Sequence, residues 1–117
     1  MPETDPPAPE STLAIVNARV RTGDPRRPWA DAVLVRGDRV VGVGSSAEIR
    51  KRAGAGTRVV DAKGAIVVHG APAGRIAVGS PADLLVLDRP PDAADEPPAT
   101  ERILLALERG IVVLDRA

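Results

Sequence analysis

The stretch AIVVHGAPAGRIAVGSPADLLVLD, Ala65–Asp88, carries two apolar runs and the only histidine of the chain, His69. AIVV and ADLLVLD are short, rich in Val, Leu and Ile, and bounded by Gly and Pro, which is the pattern of buried strands. Between them, HGAPAG (69–74) has turn composition. Either His69 belongs to a chemical site, or HGAPAG marks a seam between two halves of one fold.

Working outward, the same grammar repeats. LAIV (13–16) and RVRT (19–22) flank Asn17-Ala18, and AVLVR (32–36) and RVVGVG (39–44) flank Gly37-Asp38. TRVVD (57–61) and AIVV flank AKG (62–64). Asn and Gly accept positive φ, and Gly first in a two-residue loop signals a type II′ hairpin. RILLALE (102–108) and GIVVLD (110–115) meet at Arg109-Gly110 and read as a closing hairpin. RILLALER also has helix-favouring residues, but the run is short and IVVL follows at once, so strand is preferred. One helix is expected in SSAEIRKRAG (45–54), with Ser45 and Glu48 spaced as a capping box and Gly54 as the stop. Ile49 and Ala53 then share its buried side.

About nine short strands in hairpin order predict a small antiparallel β-sandwich or partly closed barrel with one short helix. AIVV, ADLLVLD and ILLAL are apolar on both faces, whereas a sandwich with one wet face alternates. Further cover over those strands is therefore expected. The 117 residues fit one domain, placed at 12–117, with halves 12–70 and 74–117. Residues 1–11, acidic and rich in proline, are expected to be a disordered tail, and 89–101 a mobile loop.

Sixteen basic residues balance sixteen acidic ones, so no broad positive field exists to hold phosphates. Neither a nucleic acid nor a membrane is expected as partner, and IRKR (49–52) is too short to be a basic tract. The chain has no cysteine, which removes disulfides and thiolate metal sites. It has no apolar run of the ~20 residues that span a bilayer, and MPETDPPAPE lacks a signal-peptide core. A cytoplasmic location is expected. One Trp, without Phe or Tyr, cannot build a stacking platform for bases. The Ala-, Arg-, Gly-, Pro- and Val-heavy usage points to a high-GC bacterial genome.

The search for chemistry is mostly negative. Zinc sites need several converging His, Cys or carboxylate ligands, and one His with no Cys excludes the common patterns. Asp24, Asp31, Asp38, Asp61, Asp83 and Asp88 stand singly at turns and strand ends, where short acids bond turn backbone. A nucleophilic triad would need Ser11, Ser45, Ser46 or Ser80 beside His69 and an orienting acid, and no GxSxG elbow exists. GVGSS (42–46) and GAGT (54–57) faintly resemble phosphate loops but lack the full GxGxxG or GxxxxGK[ST] pattern. His69, beside Gly70 and Pro72, is read as a partly exposed loop residue. No catalytic, cofactor-binding or metal-ligating residue is assigned, and no cofactor is expected.

The motifs together carry a resemblance. NARVRTGD, DAVLVRGDRVVGVGSSAEI and TRVVDAKGAIVVHG resemble the N-terminal portion of the metal-dependent amidohydrolase superfamily, in particular its hydantoinase/imidazolonepropionase-like members. GRIAVGSPADLLVLDRPP is similar to that family's C-terminal GxIxxGxxADLVVLDxxP, and ILLALERGIVVLDRA to its final hairpin. The resemblance implies a composite β-sandwich built from the two ends of a longer chain. In that family a catalytic (β/α)₈ barrel of ~250 residues is inserted between them. Here three residues separate Gly70 from Gly74, so the barrel and all its metal-ligand positions are absent. His69 falls where the family has the Pro of its PG and matches no metal histidine.

The expectation is a non-catalytic, stand-alone sandwich acting through protein association, as a homodimer. The alternative is an accessory or β-type subunit of a split amidohydrolase acting on C–N bonds other than peptide bonds, with a barrel-bearing partner. A small-ligand site at GVGSS or His69 is the third.

Overall fold

The computed structural model describes residues 12–70, 74–88 and 102–116. The expected tail 1–11 and loop 89–101, and residues 71–73 of HGAPAG, lie outside the described residues. The strands are β1 (Thr12–Val16), β2 (Arg19–Arg21), β3 (Trp29–Ala30), β4 (Ala32–Arg36), β5 (Arg39–Gly44), β6 (Arg58–Asp61), β7 (Ile66–His69), β8 (Leu84–Leu87), β9 (Ile103–Glu108) and β10 (Ile111–Asp115). The helix α1 spans Ser46–Arg52, between β5 and β6.

The strands form a four-stranded sheet, β5-β4-β1-β6, and a six-stranded sheet, β10-β9-β8-β7-β2-β3. The β-sandwich with one short helix is as expected. The sheets are mixed rather than purely antiparallel, and they do not close into a barrel. β1 pairs in parallel with β6, and β2 in parallel with β7. The reason lies at two corners. Asn17 (φ 55°) and Lys63-Gly64 (φ 51° and 86°) do take left-handed backbone, but they carry the chain from one sheet to the other instead of folding hairpins. The corners lie side by side: Ala62 N–H donates to Val16 O (2.9 Å), Gly64 N–H to Asn17 O (2.8 Å) and Arg19 N–H to Ala65 O (2.9 Å). Two corners stacked in the same sense leave the strands on either side parallel.

The two local hairpins form as read. β4 and β5 meet at Gly37 (φ 59°), with Arg36 opposite Arg39. β9 and β10 meet at Arg109 and Gly110, whose φ values of 49° and 80° fit a type I′ turn.

Both faces of the four-stranded sheet are covered, whereas the strands read as apolar on both faces, AIVV, ADLLVLD and ILLAL, hold β7, β8 and β9 of the six-stranded sheet. Leu13, Ile15, Val33, Val35, Val40 and Val60 face the main core, together with Val20, Val67, Leu84, Val86, Leu105 and Leu107 of the large sheet. Ala14, Val16, Ala32 and Leu34 face the other way and pack with Ile49 of α1. Ser45 caps α1, its Oγ accepting from Glu48 N–H at 3.1 Å. The C-terminal stop differs from expectation: the helix ends at Ala53 in extended conformation, and positive φ is delayed to Gly56.

β7 and β8 are antiparallel neighbours, with His69 opposite Leu84. The two halves therefore meet within one sheet, as the seam predicts. The connection is not a tight turn. It runs from residue 70 to residue 83 and crosses to the other sheet, where Val40 N–H donates to Ser80 O (2.9 Å), Gly79 N–H to Val40 O (2.8 Å) and Ala82 N–H to Asp38 O (2.9 Å). Ile76, on this segment, is buried in the main core.

Candidate functional site

His69 is half-buried at the end of β7. Its ring lies against Gly74, where a Cβ would overlap the imidazole. Gly74 thus supplies the space the ring occupies, and the seam is packed on both sides. The nearby Asp83 serves backbone: its carbonyl accepts from Gly70 N–H (2.7 Å) and its carboxylate from Arg109 N–H (2.8 Å). Other acids behave alike. Asp24 accepts from Arg26 N–H and Asp61 from Lys63 N–H, both at 2.9 Å, while Asp38 makes a loose exposed pair with Arg39 at 3.8 Å.

The serines hold backbone too. Besides the Ser45 cap, Ser46 Oγ accepts from Asn17 N–H (2.8 Å) and Ser80 Oγ from Ala77 N–H (3.2 Å). Ser11 lies outside the described residues. The glycines of GVGSS stand against α1. A Cβ at Gly42 would meet the Arg52 guanidinium and Ile49, and one at Gly44 would meet the Glu48 carboxylate. These glycines make room for side chains of α1, and Glu48 places negative charge at the helix start. In GAGT, Thr57 N–H donates to Gly54 O at 3.1 Å, closing the turn from helix to strand. Among the described residues no three His, Cys, Asp or Glu side chains converge as a metal site would require. No described helix is long and apolar enough to cross a membrane.

A cavity of about 310 Å³ opens at the ends of β6 and β8, walled by Val60, Val86, Leu104 and Leu105, with Asp61 and Lys63 at the corner. The Lys63 backbone N–H, then the Asn17 side chain, hold the Asp61 carboxyl below its usual range. That carboxylate is already committed to the corner, so the cavity is chiefly an apolar recess.

Two surfaces were not legible in the sequence. At one edge of the large sheet, the Arg19 and Arg21 guanidinium carbons stand 5.1 and 5.6 Å from the ring centroid of Trp29. The opposite edge strand of that sheet, β10, comes beside the edge strand β6 of the small sheet. There Arg58 and Asp115 pair at 2.6 Å. β10 exposes Ile111 (68%) and Val113 (52%) on the outer face of the large sheet, while β6 exposes Val59 (49%) on the α1 side of the small sheet. Alternation places Arg19 and Arg21 on one face, but only the β2–β3 register puts Trp29 opposite Arg21.

No family model matches the chain. Over 58 residues, half of its length, it is 47% identical to N-substituted formamide deformylase of Arthrobacter pascens. Over 67 residues, 57% of its length, it is 36% identical to Protein LONG AFTER FAR-RED 3 of Arabidopsis thaliana. The chain spans only 11% and 12% of the lengths of these curated relatives. Among solved structures, enamidase, a member of the amidohydrolase superfamily, is 30% identical with a TM-score of 0.44, over 51% of this chain and 16% of that one. An uncharacterized metal-dependent hydrolase from Pyrococcus furiosus is 23% identical with a TM-score of 0.46, over 50% of this chain and 13% of that one. Over about half its length the chain is thus similar in sequence to N-substituted formamide deformylase.

Proposed function

We propose that this chain acts by association rather than catalysis, as a stand-alone amidohydrolase-like sandwich that pairs with a second copy of itself. The observation that carries this is the edge strand β10 of the large sheet. It ends the sheet with Ile111 and Val113 exposed. A sheet edge leaves backbone donors and acceptors unpaired, and apolar side chains along it favour pairing with another chain. One edge of the small sheet, β5, is already engaged by the 79–82 segment through the Arg39–Pro81 bridge. Light scattering on the size-fractionated protein tests the reading. A dimer that Ile111→Lys with Val113→Lys converts to a folded monomer is expected, and a monomer at all concentrations overturns it.

A second reading draws on the 47% match to N-substituted formamide deformylase. The chain would then be an accessory subunit of a split amidohydrolase acting on C–N bonds other than peptide bonds, completed by a barrel-bearing protein. Stable co-purification with a barrel protein that binds zinc and gains deformylase-type activity in the complex would favour this reading over self-association.

A further inference from the structure

We propose that the Arg19–Trp29–Arg21 face is a docking surface for an acidic, proline-containing peptide segment of a partner protein. Trp29 is the only aromatic residue of the chain and is 44% exposed. Its ring is flanked by two guanidinium groups. Each gains from the ring quadrupole, and the ring in turn holds two like charges close together.

The neighbouring loop adds to the charge. Thr22, buried to 4% exposure, fastens it: its hydroxyl donates to Arg27 O (2.6 Å) and accepts from Asp24 N–H (3.1 Å), and its backbone N–H donates to Pro28 O (3.0 Å). Its carbonyl accepts from Ile76 N–H at 2.9 Å, tying the loop to the segment after the seam. The loop thereby presents Arg26 and Arg27, both exposed. Arg75 lies against Gly23. Among the described residues none of these five arginines forms an ion pair. The acid within the loop, Asp24, is occupied by the Arg26 N–H.

The wider charge distribution agrees. Apart from Arg89, every basic residue lies among the described residues, whereas seven of the sixteen acidic residues do not. The described residues therefore carry an excess of positive charge although the chain is neutral, and two of their arginines, Arg19 and Arg21, stand against one exposed indole. An acidic ligand complements this charge. A single ring stacks only one base, so a nucleic acid gains little here beyond phosphate contacts. β3 is two residues long and offers almost no ladder to an added strand. A ligand that needs no ladder fits better, and a polyproline-type segment is one: its rings pack on the part of the indole that the arginines leave exposed, while its flanking carboxylates reach the guanidinium groups. This surface is at the opposite edge of the large sheet from β10, so it stands or falls apart from self-association.

Because Trp29 is the only aromatic residue, its emission reports this face alone. The probe is the peptide PETDPPAPE, identical to residues 2–10 of this chain, beside a counterpart with Gln and Asn in place of its acids. A saturable change in emission is expected with the acidic peptide only, weakening as salt rises. Arg19→Gln combined with Arg21→Gln should weaken binding about tenfold, with unchanged circular dichroism and melting to show that the fold persists. Unchanged emission up to millimolar peptide, equal binding of the neutral peptide, or tighter binding of a single-stranded oligonucleotide would each overturn the proposal.

Discussion

Replacing Gly110 by alanine tests how the two halves of the sandwich are locked together. Gly110 is the second residue of the β9–β10 turn, with φ at 80°, and its N–H donates to Ala82 O at 3.0 Å. A Cβ there would overlap the Gly37 carbonyl oxygen and press on the Asp38 Cα, both in the β4–β5 turn. Two costs combine. Left-handed backbone costs an L side chain about 1–2 kcal/mol. Forcing a methyl against fixed backbone costs about 1–3 kcal/mol more. The sum, about 2–5 kcal/mol, corresponds to a fall in Tm of roughly 10–30 °C for a domain of this size. Gly56→Ala separates the two costs. Gly56 has φ at 86° but nothing within 4 Å of an added Cβ, so only the backbone cost of about 1–2 kcal/mol applies. Urea unfolding of both variants, followed by circular dichroism, gives the comparison. If Gly110→Ala costs no more than Gly56→Ala, the two turns do not lock against each other and the reasoning fails.

Ile49→Ala removes the one buried side chain of α1, and by the cavity relation it should cost about 2–5 kcal/mol in urea unfolding. Ser45→Ala deletes the N-cap and should cost about 0.5–2 kcal/mol in the same assay, with loss confined to the helix in hydrogen exchange. Asp61 has its folded pKa lowered, first by the Lys63 N–H. Its contribution to stability is therefore complete above the unfolded value of about 3.9 and is lost as pH falls through the lower folded value. Asp61→Asn should flatten the acid limb of the urea midpoint against pH, and an identical limb in both proteins would show that Asp61 is not the group responsible.

The parts legible in the sequence are those whose cause lies within a few residues. Gly37-Asp38 and Arg109-Gly110 specify hairpins because a two-residue turn needs positive φ where these residues supply it. Ser45 announces α1 because its hydroxyl must satisfy an otherwise unpaired N–H. The residues weighed for a triad or a phosphate loop have structural partners: Ser45, Ser46 and Ser80 accept from backbone N–H groups, and Gly42 and Gly44 make room for side chains of α1. Asn17 and Gly64 mislead at this range. A left-handed residue between two strands marks a bend, and the same φ serves a hairpin or a corner between sheets.

What the sequence by itself determined is the described strands other than β3, two of their hairpins, the helix with its cap, and a resemblance to one family on either side of HGAPAG. What only the tertiary structure decided is how those pieces pair. Parallel pairing of β1 with β6 and β2 with β7 joins residues some forty-five apart. That choice follows from burying both faces of the small sheet, under α1 and against the large sheet, and no local pattern records it. The two surfaces depend on the same step. Trp29 reaches the guanidinium groups of Arg19 and Arg21 through the β2–β3 register, and β10 becomes an exposed edge, with Ile111 and Val113 outward, through its place at the end of the large sheet. Short-range backbone preference fixes the elements, while burial across the whole chain decides which of their side chains meet.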